Sequence, residues 1–419
     1  MKVRSWKWLC GLAAAALFLA MPAQAQEASE RVLTLEAAAE MALEHSKDLT
    51  DLDHTLENLH RQHEDMVDLS EDMQEMLDGM DEYQALYDKM MNGGLDEVEA
   101  AMYQVYKMRY GWAPPQWEDD DMFNRIIKNR DFPHMQLQVA IENTERSREM
   151  AKAGLRLQVR SLYDQWLGLN DQISLQQTVV DDLRQRFAEQ QLKFRNGSVS
   201  RLELDTLEID VKRQEKTLQQ LSRNQDNLEM NLNMLMGFPI DQPLKLTPYE
   251  PKEPGAEIST LQVYEQQADS ERIEAANARN DYENKLREFK ILSQYITDRE
   301  ELDYIQAEKD METAKYELET VRLDVKMEVH QAYRQVIGKR QEFSAAEKQY
   351  ALAEKLYSQA KLSADQGVYS ATELRDAEIE LKQAQIGRDQ KKREYALAVH
   401  QLELTCTTGP GVSATGGDQ

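Results

Sequence analysis

The fold is decided by the stretch Phe194-Arg195-Asn196-Gly197-Ser198-Val199-Ser200-Arg201-Leu202-Glu203, whose pattern returns 170 residues later as Ala364-Asp365-Gln366-Gly367-Val368-Tyr369-Ser370-Ala371-Thr372-Glu373. Each copy contains a glycine, which readily adopts the left-handed conformation that ends a helix. A Ser-x-x-Glu capping box begins three residues later and starts the next helix. A helix that stops and restarts within a few residues forms an antiparallel αα-hairpin. The two stretches therefore predict two helical hairpins that turn at Gly197 and Gly367.

The repeat extends along the arms of both hairpins. A shift of 170 positions aligns residues 159–237 with residues 329–407 without a gap. The identical pairs include Val159/Val329, Tyr163/Tyr333, Gln165/Gln335, Gly168/Gly338, Glu208/Glu378, Ile209/Ile379, Lys212/Lys382 and Leu232/Leu402. A register of this length indicates a duplicated structural unit.

The arms are predicted to be long coiled-coil helices, because apolar residues recur at alternating spacings of three and four. No proline occurs in residues 299–366, so one unbroken helix of ~100 Å is expected there at 1.5 Å per residue. A shorter helix is predicted over residues 258–290, and Thr34 is expected to cap the first helix of the chain. The predicted seam of the long helix consists of Met311, Ala314, Leu318, Val321, Val325, Val329, Ala332, Val336, Phe343, Ala346, Tyr350, Ala353, Tyr357 and Ala360.

The composition indicates an exported, highly charged helical protein. The first 25 residues combine a basic start, a short apolar run and the small-residue site Ala23-Gln24-Ala25, so they are predicted to be a cleaved signal peptide. No later stretch reaches the ~18 consecutive apolar residues of a transmembrane helix. The formal net charge of −26 argues against nucleic acid and against anionic lipid surfaces as partners.

Nothing in the sequence points to catalysis, to a cofactor or to a metal. His60 and His63 lie one turn apart on a predicted helix, but a metal site needs a further ligand from elsewhere, so solvated histidines are expected. Cys406 is the one cysteine after the signal peptide and is interpreted as a small core residue at a helix end. The sequence therefore predicts a protein that is not an enzyme.

The first repeat is longer than the second and is expected to contain a helical insertion at about residues 61–133. Its methionines suit either a cap that closes the end of a tube or a surface for a partner or for lipid headgroups. Trp112 and Trp117, beside two prolines, either pack the turn or anchor an interface. The methionines are Met66, Met73, Met76, Met80, Met90 and Met91. The predicted segments are the signal peptide (1–25), the first repeat (26–238), a proline-rich linker (239–257), the second repeat (258–408) and a disordered tail (409–419).

The chain resembles the TolC family of outer-membrane efflux proteins. The resemblance rests on the opening residues 33–43, on the two turns at Gly197 and Gly367, and on Met236-Gly237-Phe238-Pro239. It implies an all-α fold with two repeats of long antiparallel coiled-coil hairpins, which together form an α-barrel-type protomer. It also implies a homotrimeric tube in the bacterial cell envelope, at the outer membrane or in the periplasm.

The resemblance further implies where partners bind. The hairpin turns would be periplasmic tips that dock an adaptor protein and, through it, an inner-membrane pump. Candidates for the channel constriction are Glu373, Asp376 and Glu203, since a ring of carboxylates would favour cations. The capping boxes alone also account for the two glutamates, and Ala364 and Tyr369 replace the family's polar latch. The candidate docking residues are Phe194, Arg195, Asn196, Gly197, Ser198, Ser200, Arg201, Asp365, Gly367, Tyr369 and Ser370.

The sequence departs from the family at the membrane. Family members insert two β-strands between the helices of each repeat, but residues 291–298 are too few for two strands. Residues 111–133, the other gap between predicted helices, carry prolines and charges that suit lipid-facing strands poorly. The β-barrel strands are therefore expected to be absent or vestigial, and direct membrane insertion is doubtful. Two functions stay open: a TolC-like efflux or secretion conduit, and a non-conducting envelope-spanning coiled-coil spacer or scaffold.

Overall fold

The computed structural model describes residues 31–116, 118–251 and 258–409 of the chain. The predicted signal peptide, Trp117 and the predicted tail beyond Gly409 lie outside these residues, as do residues 252–257 of the predicted linker. The described residues are almost wholly helical, which confirms the predicted all-α class.

The described residues form ten α-helices, one π-helical segment and two short strands. The strands are β1 (Arg31–Leu33) and β2 (Leu244–Leu246). The helices before β2 are α1 (Leu35–Glu44), α2 (Lys47–Met91), α3 (Glu97–Tyr110), α4 (Asp119–Met122), the π-helical segment Phe123–Ile127, α5 (Lys128–Arg195) and α6 (Arg201–Leu235). The helices after β2 are α7 (Leu261–Glu271), α8 (Ile273–Tyr295), α9 (Leu302–Asp365) and α10 (Ala371–Cys406).

Two antiparallel hairpins carry the architecture: α5 packs against α6, and α9 packs against α10. Helix α9 runs without a break for 64 residues, as the sequence predicts. At a rise of 1.5 Å per residue, it is about 96 Å long. Every residue of the predicted seam from Met311 to Ala360 is buried or half-buried, which confirms that the seam faces the interior of the protomer.

The helix of the first long arm begins earlier than the sequence predicts. Helical structure resumes at Asp119 and continues through the π-helical segment into α5, so that Pro133 lies inside a helix rather than in a gap. Phe123, Ile126 and Ile127 of the π-helical segment are at most 2% exposed. The burial of these apolar side chains offsets the backbone hydrogen bond that Pro133 cannot donate.

Each repeat opens with a short helix that is followed by a break. Between α1 and α2 the break falls at residues 45–46, and between α7 and α8 it falls at Arg272. The predicted single helix over residues 258–290 is therefore wrong at Arg272. The side chain of Arg272 is 2% exposed, and its guanidinium donates to the backbone oxygen of Thr405 and to the carboxylate of Glu328, each at 2.6 Å. These contacts hold the backbone at an extended conformation that cannot continue a helix.

The two repeats place equivalent residues at equivalent points of two separate cores. Val159 and Val329, which the sequence register pairs, are both fully buried, one in each core. Met236 and Cys406 are related by the same shift and are also fully buried. Burial raises the pKa of the Cys406 thiol to about 11, so this residue is a core side chain as predicted.

The two strands tie the start of the described chain to the linker between the repeats. They pair in parallel, with Val32 opposite Lys245. The hydroxyl of Tyr163, on α5, lies 2.9 Å from the backbone oxygen of Leu33 and 2.7 Å from that of Thr247. The Tyr163 hydroxyl therefore links the end of β1 to the residue that follows β2.

A third core closes the end of the molecule that lies away from the hairpin turns. Leu77 of α2 packs there with Phe123, with Ile296 after α8 and with Tyr304 of α9. Helix α2 continues past this core to Met91, which is about 20 Å farther at 1.5 Å per residue. Helix α3 folds back along this extension, so part of the predicted insertion forms a projecting helical hairpin.

Of the six methionines named in the sequence, all but Met91 are half-buried and do not form an exposed surface. Met73 and Met76 pack against the core at the end of the molecule, and Met90 packs between α2 and α3. Met91, by contrast, is 66% exposed. Trp112 is 84% exposed, so it does not pack the turn in which it lies.

Candidate functional site

The two hairpin turns share one backbone geometry. Gly197 and Gly367 adopt φ angles of 72° and 74°, the left-handed region that favours glycine. The next amide, that of Ser198 or of Val368, donates to a carbonyl in the last helical turn at 2.9 Å in both cases. This is the Schellman arrangement that ends a helix.

A capping box restarts the chain after each turn, as predicted. The Ser200 hydroxyl accepts a hydrogen bond from the Glu203 amide at 3.2 Å, and the Glu203 carboxylate accepts one from the Ser200 amide at 2.8 Å. Ser370 and Glu373 make the same two bonds at 3.2 and 2.7 Å. The bond from the Ser370 backbone holds the pKa of Glu373 below its usual range. Both glutamates that are constriction candidates therefore cap helices.

At their apices the two turns differ: residues 196–198 of the first turn are polar, whereas Val368 and Tyr369 of the second are apolar, and Leu202 at the start of α6 is 75% exposed. Of the docking candidates, Phe194 is half-buried, and the Arg201 guanidinium lies 6.0 Å from the centre of its ring. At the second turn Val368 is 71% exposed and Tyr369 is 44% exposed. The remaining candidates are all exposed: Arg195, Asn196, Gly197, Ser198, Ser200, Asp365, Gly367 and Ser370.

The third constriction candidate, Asp376, takes part in a group of charges between the two hairpins. The Arg186 guanidinium of α5 donates to the Asp376 carboxylate of α10, and its Nε lies 2.6 Å from Asp182 Oδ2. From α10, Arg375 reaches back to Asp182 at 3.5 Å and to Glu189 at 3.7 Å. These five residues form the inter-hairpin cluster. They lie within a few helical turns of both tips.

The inter-hairpin cluster is held by charge more than by aligned hydrogen bonds. The Asp182 side chain is only 8% exposed, yet its Oδ1 accepts no hydrogen bond from the described residues. Burial opposes the charge on Arg186, but its contacts with Asp376 and Asp182 hold the pKa of its guanidinium above the usual value. A buried charge is costly unless it stays paired, so separation of the hairpins would be resisted here.

Sequence reasoning identified Asp376 and missed its partners. The repeat itself contains a signal, because Asp182 and Arg186 correspond to Leu352 and Leu356 under the shift of 170 residues. A charged pair in one copy and an apolar pair in the other indicates that these equivalent surfaces meet different neighbours.

Helix α9 carries a second apolar stripe on the side opposite to its buried seam. Its exposed apolar residues share one face of the helix and fall into two groups, residues 302–327 and residues 352–356. This set is called the outer stripe. Its large apolar side chains are 47% to 77% exposed and comprise Leu302, Ile305, Tyr316, Leu323, Met327, Leu352 and Leu356. Helix α6 has exposed apolar residues of its own: Leu202, Ile209, Met230 and Met234.

Two classes of site have no representative among the described residues. No group of three or more His, Cys, Asp or Glu side chains is placed there to hold a metal ion, and of the two histidines considered above His60 is exposed and His63 is half-buried. No described helix is both long enough and apolar enough to cross a membrane.

The overall fold is similar to that of known outer-membrane proteins. A membrane protein from Pseudomonas aeruginosa matches with a TM-score of 0.59 at 13% identity, over 89% of this chain and 93% of that one. CusC, described for transmembrane channel formation, matches with a TM-score of 0.58 at 12% identity, over 89% and 92% of the two chains. The outer-membrane protein VceC from Vibrio cholerae matches with a TM-score of 0.53 at 14% identity, over 90% and 96%. No family model matches the sequence, and no curated protein matches it significantly.

The fold and the two tips define a class of protein: a two-repeat protomer of long helical hairpins. Within that class, the chain has the fold of TolC-family outer-membrane efflux channels. The resemblance predicted from the sequence is thus confirmed at the level of the fold.

Proposed function

We propose that this chain is the protomer of a homotrimeric, TolC-like conduit in the bacterial cell envelope. Its hairpin tips would dock the periplasmic adaptor of a tripartite export system, and the adaptor would connect it to an inner-membrane pump. The similarity to CusC and VceC over about nine tenths of the chain supports this proposal. A role without catalysis is in keeping with the structural neighbours.

The observation that carries the proposal is a difference in polarity and exposure between equivalent surfaces of the two repeats. Within the protomer, α5 uses Asp182 and Arg186 to bind α10 of the second hairpin. By the repeat, α9 corresponds to α5, and α6 corresponds to α10. The positions on α9 equivalent to the pair on α5 are Leu352 and Leu356, which are 59% and 47% exposed. A surface that is used inside the protomer is therefore repeated, in apolar form, where no helix of the described residues covers it.

A neighbouring copy supplies the missing partner. If α9 of one chain meets α6 of the next as α5 meets α10, the outer stripe lies against the exposed apolar residues of α6. Repetition of this contact closes a ring in which hairpins of the two kinds alternate, as in a heterologous cyclic oligomer. The stripe spans residues 302–356, about 80 Å at 1.5 Å per residue, and the 35 residues of α6 span about 52 Å, so this lateral contact can cover about two thirds of the stripe.

The tips supply the second part of the proposal. The exposed Val368 and Tyr369, beside the polar first turn, form a surface suited to the hairpin of an adaptor. The inter-hairpin cluster would hold the tips together, and separation of the hairpins would free the Asp376 carboxylate toward the lumen. With three chains, a ring of such carboxylates would favour cations.

The oligomeric state tests the proposal most directly. We expect residues 26–419 to form a trimer and a hollow cylinder, by light scattering and negative-stain imaging. The double variant Leu323→Glu/Met327→Glu places charges in the outer stripe and should give monomers, because desolvating unpaired carboxylates is costly. The matched control, Gln335→Glu/Ser358→Glu, adds two charges at exposed positions of α9 outside the stripe and should stay trimeric.

A rod-shaped monomer of the wild-type chain at high concentration would refute the conduit. That result would instead favour the non-conducting spacer or scaffold. Equal loss of assembly in the control variant would show that added charge, rather than the outer stripe, is responsible.

A further inference from the structure

The projecting hairpin formed by α2 and α3 presents an apolar face that the conduit does not use. Viewed along α3, this face continues at helical spacing into the loop that follows the helix. The face is called the α3 face. Its side chains are 42% to 84% exposed and comprise Val98, Met102, Val105, Met108 and Trp112.

The opposite side of α3 is firmly fixed to α2. Tyr83 of α2 is fully buried, its ring lies 5.7 Å from that of Tyr103 and 6.2 Å from that of Tyr110, and its hydroxyl donates to the backbone oxygen of Gly111 at 2.7 Å. A capping box formed by Asp96 begins α3. Because aromatic packing and a cap hold the helix in place, the α3 face is held outward and is not a frayed segment.

The charges around the α3 face indicate what covers it. The Lys107 ammonium lies 3.8 Å from the centre of the Trp112 ring, and the exposed Arg109 lies beside Met108. The C-terminal end of this apolar face therefore carries two cations and an exposed tryptophan, while the exposed Asp96 and Glu97 lie at its N-terminal end. Tryptophan with flanking lysine and arginine is typical of the membrane interface, where the ring lies at headgroup level and the cations contact phosphates.

The position of the face agrees with a flat, extended partner. The α2–α3 hairpin extends about 20 Å past the core at the end of the molecule opposite to the hairpin turns. A neighbouring copy is already accounted for by the outer stripe and the exposed residues of α6, which lie along the long hairpins. We propose that the α3 face docks the protein onto the surface of a zwitterionic phospholipid bilayer, with the apolar side chains in the interface and Lys107 and Arg109 at the phosphates. The strong negative charge of the remainder of the chain disfavours anionic bilayers.

Vesicle flotation tests this proposal. Residues 26–419 are mixed with vesicles of phosphatidylcholine and phosphatidylethanolamine, and we expect the protein to float with them. The variant Val105→Gln/Met108→Gln/Trp112→Gln should reduce the vesicle-bound fraction at least tenfold. These positions are exposed, so the substitutions leave the core intact. The matched control Val32→Gln/Ile240→Gln/Val263→Gln changes three similarly exposed residues elsewhere and should float like the wild type.

Tryptophan fluorescence supplies a second measurement. The difference between the wild-type and Trp112→Phe spectra isolates Trp112, and we expect it to shift to shorter wavelength when vesicles are added. The inference is overturned if the wild type stays unbound, or if the α3-face variant floats as well as the wild type. It is also overturned if that variant breaks the oligomer without vesicles present, because the face would then be a protein contact.

Failure of this inference and failure of the conduit can be told apart. If the protein is a trimer that does not bind vesicles, the conduit proposal stands and the lipid contact is refuted. If the protein is a monomer that floats with vesicles through the α3 face, the lipid contact stands and the conduit proposal is refuted.

Discussion

Gly237 occupies a far tighter position than the glycines of the two hairpin turns. All three adopt φ near 72°, but a Cβ on Gly237 would lie 2.3 Å from Cδ2 of His45, while a Cβ on Gly197 or Gly367 would meet nothing within 4 Å. Gly197→Ala and Gly367→Ala should each lower the free energy of unfolding by about 1–2 kcal/mol, the cost of left-handed backbone. Gly237→Ala should cost more than either, because it adds a clash with the break between α1 and α2.

Urea denaturation of the three variants, followed by circular dichroism, measures these differences. His45→Ala combined with Gly237→Ala removes the ring that the new methyl group would strike. Part of the lost stability should then return. If Gly237→Ala costs no more than Gly197→Ala, the close packing of His45 on this turn is not present in solution.

At the scale of the element, the inter-hairpin cluster sets how closely the two hairpins approach at their tips. Spin labels at Asn196 and Gln366, both exposed at the turns, report the distance between them. The double variant Arg186→Gln/Arg375→Gln leaves Asp182 buried without a cation, and removing the partner of a buried charge costs about 3–5 kcal/mol. We expect the distance distribution between the labels to widen and to shift to longer values.

Arg184→Gln is the matched control for this measurement. Arg184 pairs with Glu215 inside the first hairpin, at 2.7 Å, rather than between the hairpins. Its loss should leave the distance between the labels unchanged. An unchanged distance in the double variant as well would mean that packing, not charge, holds the hairpins together.

The same contrast between local and long-range contacts explains what the sequence could predict. The N-cap at Thr34, which accepts from the Ala37 amide at 3.2 Å, depends on residues that are neighbours in the chain. The seam of α9 likewise follows from one periodic pattern. The pairing of Arg186 with Asp376 joins residues far apart in the sequence, and no periodicity marks it. The break at Arg272 was missed for the same reason, because its cause lies at Thr405.

At the scale of the whole molecule, the α2–α3 hairpin is an appendage that should be separable from the tube. Gly79 and Tyr110 are in contact, since a Cβ on Gly79 would lie 2.7 Å from the Tyr110 hydroxyl. The Tyr83 hydroxyl also donates to the backbone oxygen of Gly111, so the end of α3 lies against α2 there, and a glycine-serine linker can replace residues 80–110. The shortened chain should keep its helical content and its oligomeric state but lose vesicle flotation.

Light scattering and flotation of the same sample measure both properties. In the control, the same linker is inserted after Gly94, in the turn of the hairpin, without any deletion. This variant keeps α2 and α3 and should still float with vesicles. Loss of the trimer on excision would show that the hairpin belongs to the subunit contact.

The parallel pairing of β1 with β2 has a consequence for the order in which the chain can fold. Its first strand begins at Arg31, and its partner Leu244 lies beyond the whole of the first hairpin. A chain delivered from its N-terminus cannot complete this pairing until the linker has arrived. In the nascent chain, β1 therefore stays unpaired while α2 to α6 assemble. When β2 of the linker pairs with β1, the first repeat is closed into a loop. The second repeat then grows from an attachment point that is already fixed, so the order of synthesis favours building one hairpin upon the other.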